Sequence, residues 1–124
     1  MKKLISTLSA LFVLTLTAGA TDWITTSAGN YYDRNSVVKS HDGSVTLLIK
    51  YPNFNADDTV QDKTVNYTVK KVQIDCNNKQ FRTIYSKIFD KNNNIISSDS
   101  SGTSWADIDF ENEGNYYYNT FCQK

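Results

Sequence analysis

Apolar and polar residues trade places at every second position over much of this chain, the period of a strand with one buried face. Val65-Asn66-Tyr67-Thr68-Val69 alternates cleanly, and Val72-Gln73-Ile74-Asp75-Cys76 alternates again in the opposite phase. One straight strand with a single apolar face cannot carry both phases, so a bulge or bend is expected near Lys70-Lys71. Residues 45–51 read as another strand, as do residues 22–27 and the short segment 30–33, with Ala28-Gly29-Asn30 as a turn. Residues 36–40 continue as extended chain. His41-Asp42-Gly43 is a hairpin turn, since Asp-Gly supports the positive φ of type I′. Residues 52–63 hold the single Pro and read as loop. Phe81, Ile84, Tyr85, Ile88 and Phe89 have helical spacing, yet they are aromatic or β-branched and flanked by Asn-rich turns. That composition predicts a strand over 81–89, buried on both faces. A short strand at 95–98 and a Ser/Gly loop at 99–104 follow. Residues 111–121 form a short helix, poorly supported by Gly114 and Tyr116-Tyr117-Tyr118.

The first twenty residues break this pattern. Met1-Lys2-Lys3 is basic, residues 4–16 are apolar, and Ala18-Gly19-Ala20 offers the small residues a signal peptidase reads. The apolar run is shorter than the roughly 20 residues of a membrane span. Residues 1–20 are therefore expected to be a signal peptide cleaved after Ala20, leaving residues 21–124 as one domain. No Cys stands at the end of the signal, so no lipid anchor is expected and the protein would be released to the periplasm or secreted.

The whole chain of 124 residues carries 13 basic and 13 acidic residues. Loss of Lys2 and Lys3 leaves a net charge of about −2, too small to steer partners strongly. A large basic surface for nucleic acid is excluded, as is an acidic tail. Eight Tyr, six Phe and two Trp lean toward β structure. Two Cys in an exported chain read as one disulfide, Cys76 to Cys122. It would close a loop of about 46 residues, worth roughly 4 kcal/mol in the chain-entropy account.

Candidate chemistry is sparse. Asp90-Lys91-Asn92-Asn93-Asn94 opens like a calcium loop, but Ile95 stands where Gly is required and the twelfth position lacks Glu, so it reads as a polar turn. Asp107, Asp109, Glu111 and Glu113 alternate and read as a solvated acidic edge rather than a hydrolase pair. His41 is a turn residue with only Asp42 beside it. Asn66-Tyr67-Thr68 matches a glycosylation sequon inside a strand, a coincidence. Trp23 and Trp105 are expected in the core, because aromatics supply most of the buried area of a small domain. No catalytic residues, metal ligands or cofactor are assigned, and the binding residues stay unassigned.

The order of residues resembles the surface-adhesin protein E family of Gram-negative bacteria. Trp23, Tyr31-Tyr32-Asp33, Ser36-Val37 and the 45–51 strand open the resemblance. Ile74-Asp75-Cys76, Phe81-Arg82, Phe89-Asp90, Ile95-Ile96-Ser97-Ser98, Trp105 and Phe121-Cys122 complete it. The resemblance implies an α+β fold, an antiparallel sheet of about six strands with a C-terminal helix packed on it and tied to it by the disulfide. It also implies binding of host extracellular-matrix or serum proteins such as vitronectin, laminin and plasminogen, a link to haem, and a monomer or homodimer.

The first functional reading is thus a non-enzymatic exported binding module that offers a sheet face and exposed aromatics to a protein ligand. The second is a periplasmic inhibitor or immunity protein acting against a lysozyme or a secreted toxin. Neither involves nucleic acid or a membrane span.

Overall fold

The computed structural model describes residues 20–27, 29–55, 57–109 and 113–122. Residues 1–19 of the expected signal segment, Ala28 of the expected turn and Glu111 lie outside them. In chain order the strands are β1 (Trp23–Thr25), β2 (Tyr31–Asp33), β3 (Val38–Lys39), β4 (Ser44–Pro52), β5 (Thr59–Val60), β6 (Lys63–Thr64), β7 (Tyr67–Asp75), β8 (Gln80–Phe89), β9 (Ile95–Asp99) and β10 (Ala106–Asp107), followed by helix α1 (Glu113–Phe121). The fold is α+β. Eight strands build one antiparallel sheet, with β1, β2, β4, β7, β8 and β10 in spatial order, β3 also on β4 and β9 also on β8. The sheet thus exceeds the six strands expected, for a local reason. The β2 and β3 pair shares one flank of β4, broken by a 3-10 turn at Arg34–Ser36, and β9 and β10 share one flank of β8. Six rows therefore contain eight strands.

Segment 52–63 is not all loop. β5 and β6 form a two-residue ribbon there, turned by Gln61 and Asp62, both at positive φ. That is the turn a type I′ hairpin needs. At His41-Asp42-Gly43, by contrast, only Gly43 has positive φ, so the turn is a three-residue hairpin loop and not type I′.

β4 and β7 pair without a slip over nine positions, from Ser44 opposite Asp75 to Pro52 opposite Tyr67. β7 therefore needs no bend of its own. Its two apolar phases face opposite sides of the sheet: Val72 and Ile74 inward, Tyr67 and Val69 outward. The irregularity falls at the expected level but in the neighbouring strand. Lys71 faces Tyr85 and Val72 faces Thr83, which leaves Ile84 as the extra residue of β8. This bulge switches the phase of β8 and explains its mixed periodicity. β8 is half-buried along its whole length rather than buried on both faces.

One face of the sheet is the core. Val45, Leu47 and Ile49 of β4 line up with Val72 and Ile74 of β7, and Ile108 and Tyr117 close the cluster. Burying each such aliphatic side chain contributes about 1.5–3 kcal/mol. α1 lies on this face. Tyr117 is 1 % exposed and meets Tyr32 edge-on at 6.2 Å, and Phe121 meets Tyr32 at 5.3 Å. The Cys76–Cys122 disulfide fastens the end of α1 to the end of β7, with Cα atoms 5.5 Å apart.

Candidate functional site

Alternation fixes what stands on the other face, which no helix of the described residues covers. Directly opposed residues share a face. Tyr31, Lys50, Val69 and Lys87 form one outward row across β2, β4, β7 and β8. Leu48, Lys71 and Tyr85 form the next, Thr46, Gln73 and Arg82 a third, and Pro52, Tyr67 and Phe89 a fourth. The β8 bulge matters here. Arg82 and Tyr85 are three apart in sequence, and only the extra Ile84 brings both outward.

Two motifs organise this face. Lys50 sends its ammonium among three rings, 4.8 Å from the centroid of Trp23, 5.4 Å from Tyr31 and 5.3 Å from Tyr67. Tyr67 in turn stacks on Phe89 at 4.7 Å and donates its hydroxyl to Asn93 Oδ1 at 3.0 Å. Burial, then the nearby Asp90 carboxylate, push the Tyr67 hydroxyl above its ordinary range. At the opposite end Arg82 lies 4.4 Å over the ring of Trp105 and donates Nε to Gln73 Oε1 at 2.9 Å. Such contacts hold cations without neutralising them.

The charge balance is one-sided. β4 and β8 contain no Asp or Glu, and β7 has only Asp75 at its end. The three central strands nevertheless carry Lys50, Lys70, Lys71, Arg82 and Lys87. Lys70 points to the helix side, 5.0 Å over Tyr51. The other four point outward. None of them forms an ion pair within the described residues; the pair found there joins Arg34 and Asp22.

Neither Trp lies in the core. Trp105 is 37 % exposed and Trp23 is half-buried on the outer face. Their area is used at the edges of the sheet because the core is already filled by aliphatics of β4 and β7 and by the Tyr residues of α1. The acidic series does not form one solvated edge either. Asp107 and Asp109 are exposed, but Glu113 starts α1 and is half-buried. It accepts from the Tyr51 hydroxyl (2.8 Å) and from Asn30 Nδ2 (3.0 Å). Asn30 Oδ1 accepts from Tyr117 (2.6 Å) and Thr26 (2.7 Å). This network joins helix to sheet.

His41 is exposed in its turn, and Asn66 is exposed just before β7. Asp90 Oδ1 is occupied by the backbone amides of Asn92 and Asn94, both at 2.9 Å. Among the described residues no group of three His, Cys, Asp or Glu is placed to hold a metal ion. Sequence reading missed Lys50, Lys71, Arg82 and Lys87, because the polar positions of an alternating strand look like mere solvent contacts. Their one sign of charge was the available signal.

A single-layer sheet with a locked helix on one side and a bare cationic, aromatic face on the other has the build of a binding domain. The chain belongs to the surface-adhesin protein E family, whose family model matches residues 23–123. No curated protein and no solved structure matches it. The family points to a non-enzymatic surface adhesin that binds a protein ligand, and family and disulfide together point to an exported protein. No described helix is long and apolar enough to cross a membrane.

Proposed function

We propose that this protein is an exported, non-enzymatic adhesin that docks a host matrix or serum protein on its open sheet face. The observation that carries the reading is the absence of carboxylates between Lys50, Lys71, Arg82 and Lys87 on that face. Four cations, of which Lys50, Arg82 and Lys87 lie against aromatic rings, attract an acidic patch and give it apolar area to cover. Residues 1–20 act as the signal peptide and residues 21–124 as the binding domain.

The test is binding of the mature domain to immobilised vitronectin, laminin and plasminogen by surface plasmon resonance, beside a Lys71→Glu/Lys87→Glu variant. Both lysines are outward and outside the core, so the variant should keep the wild-type circular dichroism. At least one of the three proteins should bind the wild type, with affinity falling tenfold or more in the variant. Equal binding by the variant would remove the open face from the reading. Failure of all three ligands, with capture of a lysozyme instead, would overturn the adhesin reading itself.

A further inference from the structure

The turns at one end of the sheet, 40–44 and 75–80, enclose a cleft of about 190 Å³ between Trp105 and the polar side chains Asp42, Gln73, Asp75, Asn77 and Asn78. We propose that this cleft binds a single neutral pyranose unit of a glycan, a site separate from protein docking at Lys71 and Lys87.

The size fits one ring. Sites that engulf a drug-sized ligand hold roughly 300–1,000 Å³, and this cleft is smaller. Its wall is an aromatic platform. The Arg82 guanidinium covers one face of the Trp105 indole and braces it, while the residue stays 37 % exposed. A pyranose with equatorial hydroxyls offers such a ring its axial C–H face, which is apolar, and directs its hydroxyls to the rim.

The rim is built to receive hydroxyls. Four of the five polar side chains spend one group on holding themselves in place and keep another; Asp75 already uses both oxygens, Oδ1 accepting the amides of Asn77 (3.0 Å) and Asn78 (3.1 Å) and Oδ2 the Asn78 side chain. Gln73 Oε1 accepts from Arg82, and its amide Nε2 is spare. Asn77 Nδ2 donates to the Asp42 carbonyl at 2.9 Å, and its Oδ1 is spare. Asn78 Nδ2 donates to Asp75 Oδ2 at 2.7 Å, and its Oδ1 is spare. Asp42 Oδ1 takes the amide (3.0 Å) and hydroxyl (2.8 Å) of Ser44, leaving Oδ2. Donors and acceptors thus converge in fixed positions, which lowers the ordering cost of a weak ligand. Gly43 is part of the frame. It has φ +91°, and a Cβ there would stand 2.4 Å from Asn77 Nδ2.

Charge narrows the ligand. Asp42 and Asp75 both face the cleft, and the hydrogen bonds from Asn78 hold the Asp75 carboxyl below its ordinary range, hence ionised. Against the single Arg82 guanidinium, already engaged by Trp105 and Gln73, two carboxylates disfavour a uronic or sialic acid. A neutral β-glucoside or β-galactoside remains.

The test is an NMR titration of the disulfide-intact wild-type domain with methyl β-D-glucopyranoside, methyl β-D-galactopyranoside, cellobiose and lactose, with N-acetylneuraminic acid as the acidic comparison. At least one neutral sugar should give saturable shifts, Kd of about 1–10 mM, centred on the Gln73, Asn77 and Asn78 side-chain amides and the Trp105 indole. Trp105→Ala and Gln73→Ala, both outside the core, should each weaken that binding about tenfold while leaving the remaining spectrum in place. No saturation by any neutral sugar, tighter binding of the acidic sugar, or unchanged binding in Trp105→Ala would overturn the proposal. None of these outcomes bears on whether the Lys71→Glu/Lys87→Glu variant loses its protein ligand.

Discussion

The Glu113 carboxylate shows what one side chain settles here. It sits in the first turn of α1, where the helix dipole favours negative charge, and it accepts from Tyr51 on the sheet and from Asn30 at the β1–β2 turn. Glu113→Ala leaves two partly buried donors without an acceptor and should lower stability by about 2–3 kcal/mol, measured by urea denaturation. Burial first, and this carboxylate second, push the Tyr51 and Tyr117 hydroxyls above the tyrosine range. A raised folded pKa on a group that is neutral when protonated means stability present below about pH 10 and lost as pH climbs past it. Titration of tyrosine absorbance should accordingly show Tyr51 and Tyr117 lagging until the fold opens, with Tyr67 also displaced upward among the eight. Asp90 has the opposite sign. Amide donors in its turn, that of Asn94 foremost, hold its carboxyl below the usual value. Its contribution is present above about pH 4 and lost as pH falls below that. Asp90→Asn should flatten the acid limb of a stability-against-pH curve; an unchanged limb would show that other carboxylates set it.

At the scale of elements, α1 is the part that cannot stand alone. Nine residues with a Gly and three consecutive Tyr do not make a stable helix in water. It is held by Tyr117 and Phe121 on Tyr32, by the Glu113 network and by the disulfide. Replacing Cys76 and Cys122 together with Ser should cost about 2–5 kcal/mol, and hydrogen exchange should then find α1 the first element to open. Protection of α1 equal to that of β7 in the variant would refute this. The sheet was largely legible: alternation gave the strands within 65–76, and β-branched and aromatic composition gave 81–89 against its helical spacing, and with 45–51 these became the central strands. What was not legible has physical causes. A period of two says that a strand has two faces, but not whether two apolar phases mean a bend or a strand apolar on opposite sides at its two ends, as in β7. The site was hidden for a related reason. Lys71 and Lys87 look like ordinary surface residues until pairing puts them diagonally across β7 and β8, in rows that carry no carboxylate. Trp105 was assigned to the core on size alone, although the core had no space left for it.

Over the whole molecule, charge is sorted by position rather than by amount. Among the described residues a nearly neutral chain places most of its cations on the strands and most of its carboxylates off them, so the face has a field that net charge conceals. Capture of an acidic ligand by Lys50, Lys71 and Lys87 should therefore slow as salt rises past the level where the screening length is about 10 Å. Stopped-flow association rates across an ionic-strength series would check this, and a flat series would sink it. The position of the disulfide has a further consequence, in time rather than in space. Cys76 directly follows the second long strand, while its partner follows every element of the sheet, so the bond cannot close until the last segment has cleared the export channel. During that interval the apolar side of β4 and β7 lacks its lid, and a lone thiol stands at its margin. Chains stopped before residue 113 should then be recovered bonded through Cys76 to foreign thiols, a state that non-reducing mass spectrometry can see. The final helix acts as the latch that ends this exposed stage of biogenesis.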